Sequence, residues 1–313
     1  MDLKPKVVIS KCINIAPVRY NGEIISDEFA RKLGKYVDYI AVCPEVEICL
    51  GVPRAPVVLI KNNDGKVKMI EPQKGTNYTE AMEKFANEFL SNLKEVDGFL
   101  LKARSPSCGV MDTKLYSTIN DEITNGVSGI FATKAMEYFA DLPVEDEDRL
   151  TDYWIRYNFL TRIFALCDIR TNLVNAKDMR EILQLHERYN YLIMLYSQTK
   201  LKEMNQLLTN YKTQGFGEVK NKYTKLFKKA LKRQPGLISH YNVLRHIIDH
   251  FSDKLSSAER EHIQKTLNMF LKGNIALNDI NKLIKELAFQ FQEHHLLNQV
   301  YLNPFPNELN RNC

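Results

Sequence analysis

The sequence predicts an α/β N-terminal domain with a mostly parallel sheet, followed by an all-α helical bundle domain. Three observations carry this. Over the first 145 residues, short β-branched runs alternate with amphipathic stretches, the pattern of βαβ units. Beyond residue 152, apolar residues recur every three or four positions and proline occurs only at 235, 304 and 306. The two parts also differ chemically. Residues 1–150 hold 19 Lys+Arg against 23 Asp+Glu, whereas residues 151–313 hold 24 against 15 and all seven histidines. Domains of 1–145 and 146–313 are expected, with the acidic, polar run "DLPVEDEDRLTD" (141–152) at the join.

The elements follow in order. "KVVIS" reads as a strand ending at Lys11-Cys12, and "SDEFARKLGKYV" as a helix capped by Ser26, with Phe29, Leu33 and Val37 on one face. "DYIAVC" is the next strand and ends at Cys43. "APVVLIKNNDGKVKMIEP" predicts a hairpin around Asn-Asp-Gly, and "NYTEAMEKFANEFLSNLKEV" an amphipathic helix. "DGFLLKA" is a third core strand, leading into "SPSCG". In the second part "DMREILQLHERYNYLIMLYSQ", "LKEMNQLLTNY", "SHYNVLRHIIDHF", "SAEREHIQKTLNMFLKG" and "ALNDINKLIKELAFQFQ" are the clearest of six to eight expected helices. There is no run of eighteen apolar residues and no long apolar leader, so a cytoplasmic protein is expected.

Six cysteines in 313 residues are no disulfide framework. Cys12, Cys43 and Cys108 each stand at or past the carboxyl end of a predicted strand. In an open α/β sheet ligands bind outside those ends, so the three are expected to converge. Structural zinc takes four close Cys/His ligands and catalytic zinc usually includes a histidine, yet no histidine precedes residue 186. Three thiolates fit a 4Fe-4S cluster with one iron lacking a protein ligand, and plain packing is the alternative. Cys49 is a fourth ligand or a bystander, Cys167 a core residue and Cys313 incidental.

Glu45, two residues after Cys43, is a candidate general base or a solvated loop carboxylate. Ser105 and Ser107 flank Pro106; their hydroxyls suit proton relay, a helix cap or a bond within the loop. From Lys220 to Arg233, "KNKYTKLFKKALKR" holds Lys220, Lys222, Lys225, Lys228, Lys229, Lys232 and Arg233 with no acid, and Tyr223 and Phe227 interleaved. This reads as a nucleic-acid contact or a solvated helix face. Arg19 and Arg54 are candidates to steer a phosphate. The His246/His250 pair, at i,i+4 without an HExxH-type acid, is a weak metal signal.

Taken together, "SKCINIAPVRYNG", "VCPEVEICLGVPR" and "SPSCGV" resemble the TudS-type thiouracil desulfidases over roughly residues 5–140. "LQLHERYNYLIMLYSQ" and "NQVYLNPFPNEL" resemble the helical domain of unknown function often fused behind that module, as in the RudS-type tRNA 4-thiouridine desulfidases. The resemblance implies a 4Fe-4S cluster on Cys12, Cys43 and Cys108, catalytic roles for Glu45 and Ser105, and tRNA containing 4-thiouridine as partner. Asn21 and Asn77 stand where that pattern has acids, and Asn190 and Tyr196 where it has Lys and His. A desulfidase for free thiouracil, or an iron–sulfur RNA-binding protein without turnover, are the alternative readings.

Overall fold

The structure is a computed structural model and describes residues 4–62, 64–118 and 121–310. The chain divides into two compact units. One holds the residues up to Cys167 and from Pro306 on, the other Asp168–Phe305.

The first unit opens with β1 (Lys6–Ser10), α1 (Glu28–Leu33), β2 (Asp38–Val42) and the single turn α2 (Pro44–Glu47). Then come β3 (Val58–Lys61), β4 (Val67–Glu71), β5 (Thr76–Asn77), α3 (Thr79–Asn92) and β6 (Gly98–Leu101). The hairpin β7 (Thr113–Thr118) and β8 (Asp121–Val127), α4 (Ile130–Tyr138) and β9 (Val144–Asp146) precede α5 (Tyr153–Asn175). One sheet has the order β2-β1-β6-β9 and is parallel throughout, as the alternating pattern predicts. Its inner strand β1 buries Val7, Val8 and Ile9 completely, which is why the segment reads as a continuous apolar run.

A second sheet, β5-β4-β3-β7-β8, is mostly antiparallel. Its β3–β4 pair is the expected hairpin, with residue 63 of the turn outside the described residues. The β7–β8 hairpin has no counterpart in the sequence reading. Its first strand, "TKLYST", buries only one large apolar side chain, Leu115, so period-two alternation is weak. The run 141–152, read as coreless, contributes β9 and buries Asp146 and Leu150. Asp27, not Ser26, caps α1 by accepting from Ala30 N at 2.6 Å. Asn77 accepts from the backbone N–H and hydroxyl of Thr79 at the start of α3, a role an aspartate would serve equally. Helix α3 turns Met82, Ala86 and Leu90 inward, and Phe85 stacks on Phe89 and on Phe131 of α4, with Phe89 tilted against Phe131, at centroid distances of 5.7–6.2 Å.

The second unit contains α6 (Met179–Tyr196), α7 (Gln198–Thr209), α8 (Phe216–Ala230), α9 (Leu237–Asp249), α10 (Ser257–Leu271), α11 (Leu277–Gln290) and α12 (His294–Leu297). Asp178 caps α6, and Ser256 with Glu259 forms a capping box on α10. Its core includes Tyr189, Tyr223, Phe227, Phe251 and Phe270. Two histidines are built into that core. His186 lies between the Tyr223 hydroxyl (3.2 Å) and Asn205 Oδ1 (2.7 Å), and His240 is 3.3 Å from the Tyr301 hydroxyl. His250 Nε2 is 2.6 Å from the Tyr191 hydroxyl, and among the described residues of this unit no group of three or more His, Cys, Asp or Glu side chains is arranged to hold a metal ion.

Burial lowers His240 to about 4, and lowers His186 and His250 as well. The folded unit thus favours neutral imidazoles, and the unfolded chain takes up protons first. This stability is fully present above the ordinary histidine value of 6.5 and is lost as pH falls toward 4. His240 alone is expected to cost on the order of 3 kcal/mol at the acid end. Urea unfolding of the full chain at pH 7, 5 and 4 measures this, and His240→Gln should flatten the profile.

Candidate active site

Parallel pairing of β2, β1 and β6 brings their carboxyl ends to one edge. Cys12 follows β1 by two residues, Cys43 follows β2 directly, and Cys108 lies in the loop after β6. All three are buried free thiols lining one cavity of about 580 Å³, together with Glu45, Arg54, Lys102 and Ser105. Cys49 is exposed and Cys167 lies in the core, whereas Cys313 is outside the described residues.

The loops around this cavity are backbone-strained. Asn14, Cys49, Arg104 and Met111 all have φ between 58° and 64°, a region non-glycine residues enter at a cost of about 1–3 kcal/mol. The "SPSCG" loop is held by α4. Gly129 N, Ile130 N and Ala132 N donate to the carbonyls of Gly109, Pro106 and Ser107 at 2.9–3.0 Å. The loop therefore caps a helix whose N-cap, Gly129, has no side chain. On the other side Ser10 Oγ accepts from Lys102 N (2.9 Å), and Lys102 forms an ion pair with Glu147. Glu147 also accepts from Ala103 N (2.8 Å).

Glu45 is largely enclosed. Its Oε1 accepts from the Ser107 hydroxyl at 2.7 Å, and its Oε2 lies 2.8 Å from Arg54 Nε and 2.7 Å from Arg54 Nη2. Ser105 Oγ accepts from the N–H groups of Ser107 (3.2 Å) and Cys108 (3.1 Å). Both of its lone pairs are engaged, so its own O–H is what it has to offer the cavity. Ser107, Arg54, Ser10 and Lys102 are working parts that sequence reasoning missed or used otherwise. Arg54, a candidate phosphate contact by sequence, spends its fork on Glu45 and the carbonyls of Val18 and Gly51.

Burial pushes the Cys12 thiol up to about 12, with the nearby Cys43 adding to the rise and Lys102 opposing it. Burial also raises Cys43 and Cys108, and Cys108 is raised further by the charges of Cys12 and Cys43. Three neighbouring thiols that resist ionisation are a poor arrangement unless a cationic group neutralises their thiolates. A thiolate-ligated iron–sulfur cluster fits that donor set, because it spreads its ligands over several irons and does not gather them on one ion.

In the second unit, helix α8 buries Tyr223 and Phe227, so neither is a surface platform for bases. Lys220 Nζ donates to the carbonyls of Val174 and Ala176, and Lys222 pairs with Glu218 at 2.6 Å. Lys225, Lys229, Lys232 and Arg233 are exposed and Lys228 is half-buried. Lys222, Lys225 and Lys229, at spacings of three and four, fall along one stripe of α8 opposite the buried face, and Lys232 follows just beyond the helix end.

A family model described as 2-thiouracil desulfurase matches residues 7–147, and one described as a protein of unknown function (DUF1722) matches residues 190–306. The chain is 30% identical over 110 residues to the uncharacterized protein YbbK of Bacillus subtilis (strain 168), covering 33% of this chain and 72% of that one. It is 22% identical over 152 residues to the uncharacterized protein YbgA of Escherichia coli (strain K12), covering 48% and 90%. Among solved structures it is similar to a [4Fe-4S]-dependent thiouracil desulfidase, TudS. The identity is 26% and the TM-score 0.39, over 47% of this chain and 93% of that one.

Proposed function

Because the chain belongs to the 2-thiouracil desulfurase family through residues 7–147 and carries a DUF1722 domain behind it, we propose that it removes sulfur from a thiolated uracil, and that its substrate is 4-thiouridine within tRNA. The observation that carries the desulfidase reading is the joint lining of one cavity by three thiols, the Glu45 carboxylate and the Ser105 hydroxyl. Cys12, Cys43 and Cys108 would hold a 4Fe-4S cluster. When bound, that cluster supplies an open Lewis-acid iron for a soft thiocarbonyl sulfur.

The protein's own groups do the rest. Glu45 takes a proton from water as its oxygen attacks the thiocarbonyl carbon. Ser105, a donor only, gives a hydrogen bond to the oxygen growing on that carbon. As the C–S bond breaks, water has given its oxygen to carbon and both protons to sulfur. Uracil and hydrogen sulfide result, with no net electron transfer. Apolar walls, including Val18, Val42 and Val57, limit the water that reaches the carbon.

Support for an RNA substrate is electrostatic. Lys11, Arg19, Arg104 and Lys114 line the cavity, Arg19 and Arg104 in ion pairs with Glu23 and Asp148, and α8 presents its lysine stripe to solvent. Anaerobic reconstitution with iron and sulfide, then incubation with tRNA carrying 4-thiouridine, tests the reading. Loss of the thiocarbonyl near-ultraviolet band with stoichiometric sulfide is the expected result. Turnover of free 4-thiouracil alone would reassign the substrate, and an unaltered band with full cluster content would reject the activity. In the same tRNA, Lys225→Gln and Lys229→Gln are each expected to lower the slope of log affinity against log salt by about 1. Filter binding across salt concentrations reads this, and unchanged slopes would move the contact elsewhere.

A further inference from the structure

This inference rests on the desulfidase reading and assigns roles to two residues outside it. The Glu45 carboxylate is held on both oxygens. Arg54 Nε and Nη2 approach Oε2 at 2.8 and 2.7 Å, and the Ser107 hydroxyl donates to Oε1 at 2.7 Å. A carboxylate offers about four acceptor sites. Arg54 Nε takes one site of Oε2, with Nη2 at ion-pair distance beside it, and Ser107 takes one site of Oε1. We propose that Arg54 and Ser107 are positioning residues that hold the Glu45 carboxylate from both sides, Oε2 against the guanidinium and Oε1 against the hydroxyl, and so fix which water it activates.

Neither partner is placed for a different task. The Arg54 side chain is 6% exposed, and its Nη1 is tied to the carbonyls of Val18 (3.1 Å) and Gly51 (2.9 Å). It thereby joins the loop after β1 to the loop after α2, with Glu45 between them. Ser107 has no exposed surface, and its N–H is bound by Ser105 Oγ, so it acts on the cavity only through Glu45. The two serines of "SPSC" consequently have opposite polarity in the site. Ser105 faces the cavity as a donor, whereas Ser107 spends its proton on the base. A planar fork sets the carboxylate plane in a way that a lysine ammonium does not, so Arg54→Lys is a diagnostic change rather than a mild one.

The test compares Ser107→Ala, Arg54→Lys and Arg54→Ala, each reconstituted and assayed on 4-thiouracil or 4-thiouridine. Displacing a base by about 1 Å costs about 100-fold in rate. Losses of kcat of about 10- to 100-fold are expected, with KM and the iron and sulfide content at wild-type values. Guanidinium in the buffer should restore part of the Arg54→Ala loss. Wild-type kcat in Ser107→Ala and Arg54→Lys, alongside an inactive Glu45→Gln, would overturn the proposal. A second measurement needs no turnover: a double-mutant cycle of Glu45→Gln and Arg54→Met on the unfolding midpoint of the cluster-free chain. Strong coupling is expected and additive midpoints would overturn the proposal. If loaded wild-type protein desulfurates no thiolated uracil, the desulfidase reading fails while the cycle still decides whether Arg54 holds Glu45.

Discussion

Replacing Glu45 with glutamine is expected to lower turnover of a thiolated uracil by about two to four orders of magnitude while leaving the bound iron and sulfide unchanged. The amide cannot take the proton of the attacking water, yet it keeps most of the side chain's volume. Glutamine is a better probe than alanine because Arg54 is nearly buried against this carboxylate. Either change removes the countercharge, but glutamine keeps an oxygen that can accept from Arg54, whereas alanine leaves the guanidinium with neither acceptor nor packing and confuses a chemical defect with a folding one. The control is Cys108→Ala, expected to lose both cluster and activity. Iron and sulfide analysis beside kcat separates these cases. If Glu45→Gln lost its iron too, Glu45 would be a scaffold for the thiols and its role as base would fall.

The second large effect is expected at a residue that never touches substrate. A methyl group on Gly129 would lie 2.4 Å from the carbonyl carbon of Ser107, 2.5 Å from its oxygen and 2.7 Å from Cys108 N. These are backbone atoms of the loop that carries Cys108, so no rotamer change relieves the contact. Gly129→Ala should therefore push that loop off the first turn of α4. Overpacking of this kind costs about 1–3 kcal/mol, and the variant should fold with a lowered midpoint. The same displacement moves Cys108 away from Cys12 and Cys43, so reconstitution should give little or no cluster. Gly215→Ala, where a methyl group meets nothing within 4 Å, is the matched control. Full iron content in Gly129→Ala would mean the loop tolerates the shift and that α4 does not set the site.

The parallel sheet was legible because β1, β2 and β6 are short apolar runs, each with a cysteine at or beyond its end. Convergence of Cys12, Cys43 and Cys108 follows from strand direction alone, without knowing the strand order. The helices of the second unit were legible from their period and from caps such as Asp178 and Ser256. The β7–β8 pair was not, since β7 buries only Leu115 among its large apolar side chains and its register with β8 is irregular. Nor were the partners of Glu45. Ser107 lies 62 positions from it in sequence, and nothing in "SPSC" says which hydroxyl turns inward. Arg54 shows the limit of reading charge from sequence, because an arginine near a pocket looks available until its fork is seen to be engaged. Tyr223 and Phe227 make the same point for aromatic residues among lysines, where helical spacing placed them in the core.

The strand order β2-β1-β6-β9 bears on when the three thiols could first act together as ligands. Cys12 and Cys43 come together once β1 and β2 pair, a local event across one helical crossover. The third thiol arrives only after β6 has paired with β1, Val7 opposite Gly98, which closes a long stretch of chain. Nonlocal parallel pairings of this kind form slowly. A nascent or unfolded chain thus presents two thiols at most in register and competes weakly for iron. A cluster held by these three thiols would therefore be loaded after the sheet has closed, and would stabilise only chains that have already assembled correctly.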